Sequence, residues 1–383
     1  MKKNILFIIG DLRTGGAERV VNNLCENLKD KYNITLVLRD ATKRDYNPQV
    51  NIVEISELVY CKKGLIGIYK LRKLKKELKI DTSISFMLKY NIFNYLSKYH
   101  DKVIVSVRNY ISANNEIYSK KLLKLYKRII KRVDLIVNVS EDVMQDQIDN
   151  FNSNINKNIV IPNFCDLDYI DKQKVKKIPI KYQKIFNNKT IICPGRYSFQ
   201  KGQWHLIRAF KKVVEYDNEA HLILVGRGKL KEYYQSLVKD LNLEKNIFIL
   251  EHMNNIYPYI YNSQIFILNS FYEGMPNVLL EALSCEVPCI ATNSPGGSKE
   301  ILVSKSNDSI DIHLGEYGIL IPPCNRVMYS ASDELTKEEK IIAEAIILLL
   351  KDKNLYNKYK KKSRKRATDY SKEKVLKMWE DII

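Results

Sequence analysis

Asn4-Ile5-Leu6-Phe7-Ile8-Ile9 is an unbroken apolar run that opens into Gly10-Asp11-Leu12-Arg13-Thr14-Gly15-Gly16-Ala17-Glu18. A run without polar alternation reads as a strand covered on both faces, as in a parallel sheet. Val20, Val21, Leu24 and Leu28 then recur at helical spacing. The Gly15-Gly16 pair at this turn serves either the turn itself or a close approach of backbone to a ligand. Further apolar runs at 33–38, 82–86, 102–107, 135–139 and 159–161 read as strands, with helical stretches between most of them. Strands alternating with helices give a doubly wound α/β sheet.

After Pro162-Asn163 the texture changes. Residues 166–189 are polar, Lys-rich and weakly periodic, and read as a linker. A second series of apolar runs follows at 190–193, 221–225, 247–250, 265–268, 288–291 and 318–321. Helical patterns fill 335–350 and 354–368, and 370–383 reads as a final amphipathic helix carrying Trp379. The expected architecture is two Rossmann-like domains, 1–165 and 166–368, facing each other across a cleft. A chain of 383 residues is long enough for two real cores.

Lys and Arg exceed Asp and Glu by 63 to 44, a formal net charge of +19. Such a balance suits an anionic partner, although the joint richness in Lys, Asn and Ile also fits coding bias. The seven cysteines are scattered and form no C-x-x-C pair, which reads as small buried thiols in a reducing compartment. Lys2-Lys3 before Asn4–Ile9 has the charge order of a secretion signal, but the apolar run is short and Asp11 follows. No window approaches the roughly 18 apolar residues of a membrane span. A cytoplasmic protein is expected.

In open α/β sheets ligands bind at the carboxyl ends of the strands. The richest such place is Asn269-Ser270-Phe271-Tyr272-Glu273-Gly274-Met275-Pro276-Asn277-Val278-Leu279-Leu280-Glu281-Ala282-Leu283. Asn277 reads as a helix cap, with Glu281 one turn inside. The free amides of the first turn would attract phosphate, and a carboxylate one turn in can hold a sugar diol. On spacing alone the run fits equally well a capped surface helix with ordinary acidic residues. Arg196 and Lys201 bracket Tyr197-Ser198-Phe199-Gln200 at the mouth of the second domain's first strand. Two cations there would balance a diphosphate.

Gly226-Arg227-Gly228 lacks the third Gly of a dinucleotide fingerprint, which weakens a dehydrogenase reading. The five histidines are dispersed, and the one D-x-D, Asp166-Leu167-Asp168, falls in the inferred linker. No metal site and no cofactor are expected. Aromatic stacking motifs for nucleic acid are absent. Two stretches, Tyr69 to Lys79 and Tyr118 to Arg132, read as helices with a strongly cationic face. They fit an anionic membrane surface or an ordinary solvated face.

Gly15-Gly16-Ala17-Glu18-Arg19, Pro194-Gly195-Arg196 with Lys201-Gly202, Val225-Gly226-x-Gly228 and Glu273-Gly274-Met275-Pro276-Asn277 with Glu281-Ala282 resemble the retaining GT-B glycosyltransferases of family 4. The likeness spans nearly the whole chain, in the family's order. Ile161-Pro162-Asn163 resembles the interdomain hinge, and residues 369–383 the helix that crosses back to the N-terminal domain.

This resemblance implies that Glu281 holds the nucleotide ribose and Glu273 contacts the donor sugar. The backbone from Gly274 through Met275, Pro276 and Asn277 to Val278 would lie near sugar and phosphate. Arg196 and Lys201 would neutralise the diphosphate, and Gly15-Gly16 would approach it from the other domain. Many relatives carry a His where this chain has Arg108-Asn109. Arg108, Asn109 and Ser140 are therefore the acceptor-side candidates.

The implied reaction moves a hexose or N-acetylhexosamine from a UDP-sugar to a glycan acceptor carried on a polyprenyl diphosphate, in surface-polysaccharide synthesis such as that of capsule or lipopolysaccharide. It retains anomeric configuration and needs no metal, and the enzyme would be peripheral on the inner face of the cell membrane. A nucleotide-sugar epimerase of similar build, or a silent scaffold of a glycan-synthesis complex, are the rival readings.

Overall fold

A computed structural model describes residues 2–13, 15–60, 62–114, 118–187, 189–303 and 311–383. The chain divides into two compact units, Met1–Asn163 with Glu373–Ile383, and Phe164–Lys372.

The first unit holds β1 (Asn4–Ile9), β2 (Asn33–Leu38), β3 (Asn51–Glu54), β4 (Thr82–Phe86), β5 (Lys102–Val107), β6 (Leu135–Asn138) and β7 (Asn158–Val160). They form one parallel sheet in the order β3-β2-β1-β4-β5-β6-β7. Phe7 pairs in register with Leu36 on one side and Ile84 on the other, so β1 is central. Ile5, Leu6, Phe7 and Ile8 are fully buried, as a strand covered on both faces requires. The helix Gly16–Leu28 buries Val20, Val21, Leu24, Cys25 and Leu28 along one stripe. β3 carries no apolar run because it is an edge strand whose residues are half-buried or exposed.

The last helix, Lys372–Glu380, belongs to this unit. Trp379 is fully buried, with its ring 6.1 Å from that of Phe86. Lys3 Nζ and Lys102 Nζ donate to the carbonyls of Ile383 and Ile382, at 3.0 and 2.7 Å. These bonds fix the end of the helix across the amino ends of the sheet strands.

A buried ionic cluster lies behind the sheet. Lys75, on the helix Gly64–Glu77, donates to Asp101 at 2.9 Å, to Asn94 Oδ1 at 2.7 Å and to Ser83 Oγ at 3.2 Å. Burial pushes the Lys75 ammonium down to about 8, against the pull of Asp101. Lys75 falls within one of the two stretches read as a cationic face, yet it points into the protein.

The second unit holds β8 (Thr190–Pro194), β9 (His221–Gly226), β10 (Ile247–Glu251), β11 (Ile265–Leu268), β12 (Cys289–Thr292), β13 (His313–Leu314) and β14 (Ile319–Ile321). Their order is β10-β9-β8-β11-β12-β14-β13, parallel except for the β13–β14 pair. Its core joins the sheet to the helices Gln203–Tyr216 and Lys337–Lys351 through Trp204, Phe210, Ile342 and Ile346.

The stretch read as a linker is instead structured. Asp166 caps the helix Leu167–Lys174 by accepting from the Tyr169 amide at 3.0 Å, and Ile180–Gln183 forms a further turn of helix. Only Ile170 and Lys174 of the first helix are buried, which explains the weak apolar period. Among the described residues no helix is long and apolar enough to cross a membrane.

Candidate active site in the second unit

The carboxyl end of β11 runs into Asn269-Ser270-Phe271-Tyr272-Glu273, and backbone bonds stitch this segment to two neighbouring loops. The Phe271 amide donates to Gln200 O at 2.9 Å, and Gln200 Nε2 donates back to Tyr272 O at 2.8 Å. The Glu273 amide donates to Pro295 O at 2.9 Å, and the Gly297 amide to Gly274 O at 2.9 Å. Two glycines allow the approach. Gly202 sits at φ +55, where a side chain would meet Asn269 O, and Gly296 at φ +124 packs against Glu273 O.

These contacts bring Lys201 and Glu273 together. Lys201 Nζ lies 2.5 Å from Glu273 Oε1, with the two side chains 13% and 12% exposed. A pair so shielded interacts more strongly than a surface pair. Arg196 stands at the end of β8, exposed, with Nη2 donating to Gln200 Oε1 at 3.3 Å. No carboxylate among the described residues pairs with Arg196, so its charge is available to an anion.

The helix after Gly274-Met275-Pro276 spans Asn277–Ser284. Asn277 is its first helical residue and not the cap. Pro276 holds the cap position with extended backbone and no side chain caps the turn. Proline's fixed φ and missing N–H suit the helix boundary, which displaces Asn277 by one place. The Leu279 and Leu280 amides donate to Pro276 O at 3.0 and 3.4 Å, and no side chain from the cap position covers the amides of Asn277 and Val278, the place where an anion would meet the helix start. Glu281, one turn in, is 4% exposed and accepts from Tyr257 Oη at 3.4 Å. A carboxylate is acceptor-only and can take more than one hydrogen bond.

The remaining sequence candidates belong to the first unit. Gly15 precedes and Gly16 begins the helix at the end of β1, while Thr14 between Arg13 and Gly15 lies outside the described residues. Arg108 is buried, and its guanidinium donates to Asn163 Oδ1 and to Ile161 O, Asn163 being read above as part of the hinge. Burial pulls its pKa below the ordinary value. Asn109 is exposed, and Ser140 is buried as the cap of the helix Glu141–Phe151, accepting from the Val143 amide at 3.3 Å. Asp166 of the D-x-D pairs with Lys372 at 3.0 Å, and Asp168 is exposed. Among the described residues no group of three or more His, Cys, Asp or Glu is placed to hold a metal.

Sequence reasoning missed three parts of this site: Tyr257 beneath Glu281, Gln200 as the stitch between loops, and the clamp behind them. In the clamp, Glu339 accepts from Arg208 Nε at 2.9 Å and lies 2.8 Å from His205 Nδ1. All three side chains are buried. Burial alone would raise the Glu339 carboxyl, but the bonds from His205 and Arg208 hold it below its ordinary value. The signal was present as Thr336-x-x-Glu339, a capping box that the structure completes in both directions.

Residues 14–169 match the profile of glycosyltransferase family 4, and residues 174–329 that of the glycosyl transferases group 1. An uncharacterized glycosyltransferase of Methanocaldococcus jannaschii is 33% identical over 82% of each chain. The Campylobacter jejuni N-acetylgalactosamine-N,N'-diacetylbacillosaminyl-diphospho-undecaprenol 4-alpha-N-acetylgalactosaminyltransferase is 27% identical, covering 98% of this chain and 97% of its own. Among solved structures, Anabaena HepE in complex with UDP superposes with a TM-score of 0.80 at 18% identity, covering 100% of this chain and 99% of its own. That likeness shows the fold, which is GT-B. With both profiles matched in order and 33% identity to a relative over 82% of each chain, this chain belongs to the family 4, group 1 glycosyltransferases.

Proposed function

We propose that this glycosyltransferase moves a hexose or N-acetylhexosamine from a UDP-sugar to a glycan carried on a polyprenyl diphosphate, with retention and without a metal. The observation that carries the donor half is the shielded Lys201–Glu273 pair at 2.5 Å, set beside the uncovered start of the helix bearing Glu281. Glu281 takes the ribose hydroxyls and Glu273 the donor sugar. Arg196, Lys201 and the first-turn amides meet the charge of the diphosphate, which a metal would otherwise do. The C. jejuni relative's diphospho-undecaprenol acceptor supports the acceptor half.

Retention follows if the acceptor hydroxyl attacks on the face the leaving group departs from. The bond from the anomeric carbon to the UDP oxygen breaks as the bond to the acceptor oxygen forms. The acceptor's proton passes to the departing diphosphate, whose charge Arg196 and Lys201 hold.

Two surfaces of the first unit support a place at a membrane. On Gly64–Glu77, Leu65, Ile66 and Tyr69 are exposed beside Lys70 and Lys73. Near the end of Lys120–Ile129, Lys124, Lys127, Arg128, Lys131 and Arg132 line an open groove of about 330 Å³. Exposed apolar groups amid cations are what an anionic lipid surface receives.

The test is incubation with membrane extract and a panel of nucleotide sugars, with and without EDTA. The expected result is sugar joined to lipid-linked acceptor, UDP released, an α-linkage from an α-donor, and no effect of EDTA. Interconversion of free nucleotide sugars would replace this reading with the epimerase, and no nucleotide release from any donor would sink it.

A further inference from the structure

Arg326 has no role in the reading above, and nothing in the sequence marks it. It lies in the segment that follows β14, and its side chain is exposed. Its guanidinium carbon sits 5.5 Å from the centre of the Tyr272 ring and 5.9 Å from that of Phe271, the two residues that lead into Glu273. Among the described residues it has no carboxylate partner. A cation within about 6 Å of an aromatic face is held there by the ring quadrupole.

The backbone on both sides of Arg326 is pinned by side chains from elsewhere in the second unit. His205 Nε2 lies 2.9 Å from Asn325 O, and Trp204 Nε1 donates to Val327 O at 2.9 Å. Tyr233 Oη donates to Tyr329 O at 2.6 Å. Arg208 adds bonds to the carbonyls of Ser330, Asp333 and Glu334 while its own head is fixed by Glu339. An exposed arginine on an ordinary loop would be free to wander. Here a buried clamp fixes the loop, and the loop lays one guanidinium over the segment that aims Glu273 at Lys201.

We infer that Arg326 is a positioning residue for Glu273. It presses on Phe271 and Tyr272, and so holds the carboxylate in the geometry that the donor sugar meets. The inference rests on the donor reading for its catalytic consequence, but not for its structural one.

Two measurements test it on Arg326→Gln and Arg326→Lys in the full chain. Hydrogen exchange in the free protein reads the amides of Phe271 and Glu273, which are bonded to Gln200 O and Pro295 O. Arg326→Gln should speed exchange over 271–275 by about threefold to tenfold, the scale of a cation resting on an aromatic face, while Arg326→Lys keeps most of the protection. Because Arg326 is exposed, the melting temperature should move little. Donor turnover should show kcat falling about fivefold in Arg326→Gln, with acceptor KM unchanged and the Lys variant largely restored.

Exchange over 271–275 equal to that of the wild type overturns the inference, whatever the substrate proves to be. So does a Lys variant as impaired as the Gln variant, since the positive charge would then not be the agent. If the wild type turns over no donor, the donor reading fails and the exchange result alone decides the role of Arg326.

Discussion

The two units repeat one topology and use it differently. Each sheet has its first strand in the middle, its second and third strands stepping outward on one side, and its fourth and fifth on the other. In the second unit the groups at the carboxyl ends are half-shielded and partly unspent. Lys201 and Glu273 answer each other, Arg196 touches only a neutral amide among the described residues, and no side chain caps the start of Asn277–Ser284. In the first unit the corresponding groups are consumed by the fold: Arg108 bonds to Asn163 and Ile161, and Ser140 caps a helix. A strand end therefore becomes a site only where the fold leaves charge and amides unsatisfied. On the donor reading proposed above, that asymmetry is why the donor half is argued from the second unit's own residues, while the acceptor half rests on a relative's substrate.

The largest effect that could break this contrast is at the two carboxylates. Glu273→Ala should lower kcat/KM by about a hundredfold to a thousandfold, the loss typical when a preorganised polar contact to the reacting region is removed, and Glu281→Ala by about tenfold to a hundredfold, the scale of a hydrogen bond to a charged group. Glu281→Ala should act mainly through donor KM, because a ribose contact is made equally in ground and transition states. Glu273→Ala should act mainly through kcat. Steady-state kinetics against donor concentration separate the two, and identical profiles would show that the carboxylates do not divide ribose from sugar.

The placement of the second unit's candidate residues was legible in advance because each is tied to a strand end, and strand ends can be read from apolar runs. Glu273 and Lys201 lie 72 residues apart, yet both follow such a run. What could not be read is direction. Lys75 looks like any other cation on its helix, and only Asp101, Ser83 and Asn94, which fold brings beneath it, show that it points inward. Arg326 is likewise invisible, since its ring partners are more than fifty positions earlier. β3 and the helix Leu167–Lys174 escaped for a simpler reason: each buries too little to leave an apolar period.

The next effect in size concerns Arg108. Its replacement by Ala removes the guanidinium's bonds to Asn163 Oδ1 and Ile161 O in a buried place. Such a change should destabilise the first unit by about 2 to 3 kcal/mol. Activity per folded molecule should fall less than tenfold, far less than for Glu273→Ala. A loss of hundredfold or more at unchanged stability would instead make Arg108 a group that touches substrate, and would erase the difference between the two strand-end rims.

The smallest effect separates the units by pH, and the chain supplies its own reporters. It has two tryptophans, Trp204 in the second unit and Trp379 in the first, both fully buried. A Trp204→Phe variant leaves the first unit's signal alone, and Trp379→Phe the second's. Asp101 and Glu339 both have lowered folded values, although burial by itself would raise them. Each therefore contributes stability that is present above its unfolded pKa and is lost as pH falls through the folded value, so both units should weaken in acid below about pH 4. Lys75 adds a second limb to the first unit only. Its folded value of about 8 lies below the ordinary 10.5, so between those values the unfolded chain binds more protons than the folded one. Lys75, together with Arg108, whose value burial also lowers, should then raise the stability of the first unit across that window by on the order of 1 kcal/mol, offset in part by the buried Cys25 thiol, which burial pushes up. The second unit has no such lysine among its described residues, and burial pushes up its thiols at Cys193, Cys285, Cys289 and Cys324, so its stability should fall over the same range. Urea titrations of the two single-tryptophan proteins at pH 7.5 and pH 9.5 measure this. Equal shifts for both reporters would mean that Lys75 keeps its charge as easily inside the protein as out, and that the buried cluster of the first unit holds it without strain.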